Sequence, residues 1–202
     1  MMLKNKTIIF YSRALLFIAA FLGVYLEITK HGGFGMLLYY TVLSNLLVTL
    51  FTAYLLLKMR GDDNSWQNPG ILRLKGGVTM SIMITCVIYH FMLAPIATDF
   101  YRLENFLCHY IVPLWFLADT LLFDKNRQYK WFDPIVWTVL PLLYMGFAIL
   151  NGLVLKMNIP NAKDNPFPYF FLNANKYGWG FVFKWAATIF VAYMISGYLF
   201  YL

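Results

Sequence analysis

A chain of 202 residues that is 61% hydrophobic, 20% aromatic and only 12% charged, with a mean hydropathy of +0.62, has too little polar surface to coat a soluble globule. The proportions predict an integral membrane protein. The formal charge of +7 would point to nucleic acid in a soluble protein, but here Lys and Arg gather in short connections between apolar runs, where they set orientation, and nucleic acid is set aside as a partner. A hydrocarbon core of roughly 30 Å needs about 20 apolar residues per helix. Runs of that kind fall at about 7–28, 35–57, 77–95, 104–123, 134–155 and 178–201. They predict an all-α, polytopic fold of six transmembrane helices, forming one transmembrane domain over residues 1–202. The first run follows Met1-Met2-Leu3-Lys4-Asn5-Lys6, which resembles a signal-peptide start; its length and the five later spans predict that it is retained. The connections at about 58–76 and 156–177 are too short to bury a core of their own.

Loop charge predicts the orientation. Lys4, Lys6 and Arg13 at the first span, Lys58, Arg60, Arg73 and Lys75 after the second, and Lys125, Arg127 and Lys130 after the fourth carry most of the basic residues. Lys30, Arg102, Lys156, Lys163 and Lys176 occupy the opposite loops. The bias puts both termini in the cytoplasm and the protein in the cell membrane. Thr41, His90 and His109 then share a level within about 7 to 10 Å of the outer boundary, at 1.5 Å of rise per residue. Polar groups of catalytic type are costly at that depth and need a reason to be there.

On the second span, Thr41, Ser44, Asn45, Thr49 and Thr52 recur at helical spacing and form one polar stripe. Such residues commonly join membrane helices by hydrogen bonds, the plain reading of each alone; what shifts it is the meeting with histidines at the stripe's outer end. On the fourth span Asn105, His109 and Thr120 project to one side. Pro113, one turn below His109, removes the hydrogen bond to the His109 carbonyl and predicts a kink there. His90 on the third span raises a rival, with His90 and His109 ligating one haem iron. His31, beside Gly32 and Gly33, reads as solvated.

Arg13 and Asp119 lie at matching depth near the cytoplasmic end and are expected to pair, a structural role. Lys184 on the sixth span lies near the level of Thr41 and His109; it pairs with Glu27 or Glu104, or holds a substrate carboxylate. Asp124 and Asp133 read as solvated loop residues. Cys86 and Cys108, the two cysteines, sit in apolar runs without zinc-site spacing, and no metal is predicted. The segment Asn165-Pro166-Phe167-Pro168-Tyr169-Phe170-Phe171-Leu172-Asn173 reads as a re-entrant turn or lid at the interface, or as an aromatic belt.

Tyr40-Thr41-Val42-Leu43-Ser44-Asn45, Tyr89-His90 with Leu93-Ala94-Pro95, and His109 with Pro113 resemble, in span order over most of the chain, the androgen-induced family of multispanning membrane proteins, and more closely its bacterial branch. Animal members are intramembrane threonine hydrolases that cleave fatty acid esters of hydroxy fatty acids. The resemblance implies Thr41 as nucleophile and His109 as base, with no cofactor. It departs at His90, which the animal proteins lack, and at Ser44-Asn45.

The mechanism so implied is covalent: His109 takes the proton of Thr41, whose oxygen attacks an ester carbonyl to give an acyl-enzyme that water resolves. Asn45 is expected as an oxyanion donor, and His90 as an orienting group or second acid. Membrane lipids and a lipid ester substrate are the expected partners. A non-enzymatic transporter, channel or single-haem protein is the alternative class.

Overall fold

The computed structural model describes residues 5–61, 64–125 and 128–202. Among them there is no strand, and six helices are long and apolar enough to cross a bilayer: Lys6–His31, Tyr40–Met59, Pro69–Ile96, Leu103–Phe123, Asp133–Leu155 and Trp179–Tyr201. The fold class is that of an all-α, multi-pass membrane protein. The leading Met1-Met2-Leu3-Lys4 and the loop residue Arg127 lie outside the described residues.

The first span begins and the sixth finishes at one end of the bundle, the terminal end, where Lys6 Nζ donates to the Gly61 carbonyl. At the opposite, loop end, Tyr39 donates to the Pro160 carbonyl, Asn161 to that of His31 and Lys163 to that of Ile96. Three connections are thereby laced into one surface.

Spans one to four share a dry centre built from Leu16, Ala20, Val48, Ile82, Val112 and Phe116. Spans five and six lie beside it, and their own cluster is completed by Phe167, Phe171 and Leu172 from the loop between them. Trp137 of the fifth span lies on Gly76 and Gly77 of the third, where any side chain would collide with the indole.

Two spans start elsewhere than their apolar runs suggest. The second begins at Tyr40 rather than near 35, because Gly33–Leu38 is wound as a tighter 3-10 turn. The third begins at Pro69 rather than near 77: Asn68 accepts from the Gly70 amide at 2.9 Å and Pro69 opens the helix. Arg73 and Lys75 are therefore helical and not loop residues. Lys75 is fully buried, in contact with Asp119 (2.5 Å) and Asp124 (2.8 Å). Arg13 joins them, with Nε 3.1 Å from Asp119 Oδ1, Nη2 3.1 Å from Asp124 Oδ1, and its guanidinium over the Trp66 ring. Arg13 and Asp119 do pair, but as half of a four-charge cluster. Asp124 is not solvated: burial pushes its carboxyl up, and Lys75 and Arg13 oppose that rise. Nor is Asp133, which is buried and takes Arg73 Nη2 at 2.6 Å.

Spans three, four and five each carry a π turn near the loop end, at Tyr89–Leu93, Leu107–Ile111 and Asn151–Leu155. Such turns widen a helix locally and recur at functional sites.

Candidate functional site

Thr41 occupies the first turn of the second span, whose cap residue Tyr39 offers no side-chain hydrogen bond to the free amides there. His109 sits in the π turn of the fourth span. The two converge: Thr41 Oγ1 lies 3.3 Å from His109 Nε2, and His109 Nδ1 lies 3.1 Å from the Asn105 carbonyl. A carbonyl can only accept, so Nδ1 carries the ring proton and Nε2 presents a lone pair to the Thr41 hydroxyl. Tyr89 stacks on the imidazole with ring centroids 3.7 Å apart and a tilt of 23°, holding its plane. His109 is 8% exposed, while Thr41 is half-buried and open to a cavity.

The π turn also redirects the backbone. In its register the Val112 amide bonds to the Leu107 carbonyl five residues back, so the carbonyl that Pro113 would reach in that register is that of Cys108. Asn45 Nδ2 fills the gap, 3.0 Å from the Cys108 oxygen and 2.8 Å from that of Thr41. Both amide hydrogens of Asn45 are committed to backbone, which removes the expected oxyanion role. Ser44 is committed too, with Oγ 2.8 Å from Thr85 Oγ1 and 3.1 Å from the Thr41 carbonyl. Asn105 contributes its carbonyl to His109, while its side chain donates to the Phe100 carbonyl at 2.8 Å.

Two expected members stand apart. His90 is exposed, with Nδ1 3.2 Å from the Tyr110 hydroxyl and its ring edge-on to Phe91. The residue beside it, Tyr89, takes the place against His109, since neighbours on a helix diverge by about 100°. With Tyr89 covering one imidazole and Tyr110 holding the other, His90 and His109 do not form a haem-ligating pair. Lys184 is exposed and has no ion-pair partner among the described residues. The sixth span turns Val182, Ala186, Ile189 and Tyr193 inward, and two residues from Val182 is the opposite face. Of its two expected carboxylate partners, Glu104 is engaged elsewhere: Glu104 Oε1 is 2.7 Å from His31 Nε2, and Arg102 Nη1 approaches the same nitrogen at 2.8 Å. His31 is thus part of a polar network and not solvated.

The residue that sequence reasoning passed over is Tyr169. The lid segment folds into the bundle, with Phe167 buried against Gly152 where no side chain would fit, and Asn151 bonds the Pro166 carbonyl at 2.8 Å. This brings the Tyr169 phenol to the start of the second span. Burial pushes the phenol up, and the Thr41 hydroxyl, the Thr41 and Tyr40 amides and the Tyr144 hydroxyl offset part of that rise. The only signal in the sequence was the aromatic run itself, which does not say which ring turns inward.

Two cavities meet at this point. One, of about 500 Å³, is the more polar of the two and reaches the loop end past His31, Arg102, Asp99 and Lys163. The other, of about 100 Å³, is apolar and runs between spans three, five and six. Thr41, Tyr89, Leu93 and Tyr169 line both. Among the described residues no cluster of three or more His, Cys, Asp or Glu is arranged to hold a metal ion. Compared with known family models, curated proteins and solved structures, the chain matches none.

Proposed function

We propose that the protein is an intramembrane hydrolase of lipid esters, with Thr41 as nucleophile and His109 as general base. The observation that carries this reading is the Thr41 Oγ1 to His109 Nε2 approach of 3.3 Å, at the junction of an apolar cavity and a larger, more polar one. An amphiphile with its polar end in the larger cavity and its chain in the smaller brings an ester linkage to Thr41. The motifs that resemble the androgen-induced family support the same assignment. Loop charge supports a site facing the outer leaflet of the cell membrane, with both termini cytoplasmic.

In the first step Thr41 Oγ1 attacks the ester carbonyl carbon while its proton passes to His109 Nε2. The Tyr169 hydroxyl donates to the carbonyl oxygen as negative charge develops on it. The carbon–oxygen bond to the alcohol then breaks, the departing oxygen takes the proton from Nε2, and the acyl group remains on Thr41. Water attacks this acyl-threonine, gives a proton to Nε2, and releases the acid as that proton returns to the Thr41 oxygen. Asn105 keeps Nδ1 protonated and Nε2 free through the cycle, as the third group of such a relay does.

A fluorophosphonate probe on the purified protein tests the assignment. Labelling at Thr41 is expected in the wild type, with loss in Thr41→Ala and a fall of on the order of 10²- to 10⁴-fold in labelling rate in His109→Ala. Undiminished labelling in both variants removes the Thr/His chemistry.

A further inference from the structure

The apolar cavity behind Thr41 is open sideways. Spans five and six pack at the terminal end, where Asp133–Trp137 lies against the sixth span and Tyr193 donates to the Trp137 carbonyl at 2.9 Å. Further out they separate, and Val139–Leu150 makes little close approach to Trp179–Tyr201. The gap is roofed by the Phe170–Leu172 turn, which touches both spans. Its walls are mostly apolar, with Ile88, Leu142, Met145, Ala186 and Ile189 along them, the Thr41 hydroxyl near the roof and the Tyr193 ring at the floor.

We propose that this gap is the binding groove for one acyl chain, which slides in from the bilayer between spans five and six. It lies with its carbonyl end at Thr41 and its tail towards Tyr193. Three features of the groove favour this occupant. The groove runs along the spans for roughly 10 Å, the rise from Ala186 to Tyr193. Two of its lining residues, Leu142 and Phe190, are also exposed on the outer, apolar surface of the bundle. Its upper end carries the hydroxyls of Thr41 and Tyr169, the pair assigned to the acyl carbon and its carbonyl oxygen. Ala186 sets the free width, because its methyl is the smallest group on the wall formed by the sixth span. The chemistry at the carbonyl end rests on the hydrolase reading, but the binding of the chain does not.

The test uses the purified protein in lipid nanodiscs with a palmitic acid probe carrying a diazirine at mid-chain. After illumination, adducts are located by peptide mass spectrometry. They are expected to concentrate on Leu142, Met145 and Ile189. In Ala186→Trp they are expected to fall by about tenfold or more, a loss equivalent to about 1.4 kcal/mol of binding. Ala187→Trp, one position along on the exposed face, is expected to label as the wild type, and thermal unfolding of each variant shows whether it is folded. Should Ala186→Trp not fold, Met145→Trp blocks the same groove from the opposite wall. Equal labelling at outward residues such as Phe21 and Leu50, or in the blocked and control variants, overturns the proposal. Because labelling is read without turnover, a wild type that binds the chain but hydrolyses no ester keeps the groove and discards the hydrolase reading. An active enzyme with scattered adducts does the reverse.

Discussion

The two ends of the bundle treat polar groups in opposite ways. At the terminal end Arg13, Lys75, Asp119 and Asp124 are buried and answer one another at 2.5 to 3.1 Å. The charges balance there, and the surrounding Trp66, Met59 and Phe116 leave little room for water. At the loop end the polar groups of the site are a hydroxyl, an imidazole and a phenol, arranged around open volume. A closed ionic cluster fixes the spans at the cost of desolvating four charges, and its carboxylates are turned onto its own cations rather than towards a ligand. A site that does chemistry needs the reverse: a half-open hydroxyl, a base with one nitrogen committed and one free, and a path for a ligand. The three π turns all lie on this second side, where helices are widened, and none lies near the ionic cluster.

If that contrast is right, each end fails in its own way. The largest effect is expected from Lys75→Met. It leaves Asp119 and Asp124 facing Arg13 alone, and breaking a buried pair from one side costs about 3–5 kcal/mol. Unfolding followed by heat or denaturant in detergent should show that loss, while Lys75→Met/Asp124→Asn, which restores neutrality, should recover most of it. A single variant as stable as the wild type would mean that the cluster is hydrated and that the terminal end is not closed.

Tyr169→Phe probes the other end. Removing one donor to the developing oxyanion typically lowers kcat by on the order of 10²-fold. Stability should change little, because the ring keeps its stacked contact with Phe171 at 5.2 Å. Steady-state hydrolysis of a lipid ester in micelles, read with an unfolding curve, separates the two quantities. A variant with full kcat confines Tyr169 to a packing role in the roof.

How far the chain could be read without its fold also differs between the ends. The six spans were legible because a run of about 20 apolar residues has few other uses, and the shared level of Thr41 and His109 followed from rise per residue alone. Level is not direction, however. Whether Tyr89 or His90 turns towards His109 depends on how the third span is rotated against its neighbours, which periodicity over one mixed stretch does not fix. Asn45 looked free because its partner, the Cys108 carbonyl, exists only through a π turn that shifts the register before Pro113. Asp124 looked solvated and Lys75 looked like a loop residue because each sits where an apolar run fades into a connection. The balance that buries them comes from residues about 50 to 110 positions away in the chain, and no local pattern records it. Tyr169 was hidden for a similar reason, since a loop has no period from which to infer a face.

The smallest expected effect belongs to the residue that the sequence made most conspicuous. His90 is a titratable group one position from the ring that stacks on His109, and span lengths put it near the level of Thr41. Yet it is exposed, its hydrogen bond among the described residues runs to Tyr110, and Tyr89 stands in the place an orienting group would need. His90→Ala should therefore leave stability within the roughly 0.5 kcal/mol typical of surface substitutions. Hydrolysis should stay within about twofold, the same energy expressed as a rate. The pH profile of kcat is the sharper measurement, because a second acid would remove one limb of the profile when deleted. An unchanged profile leaves His109 as the single histidine of the site, with its tautomer fixed by a backbone carbonyl rather than by a second ionisable group.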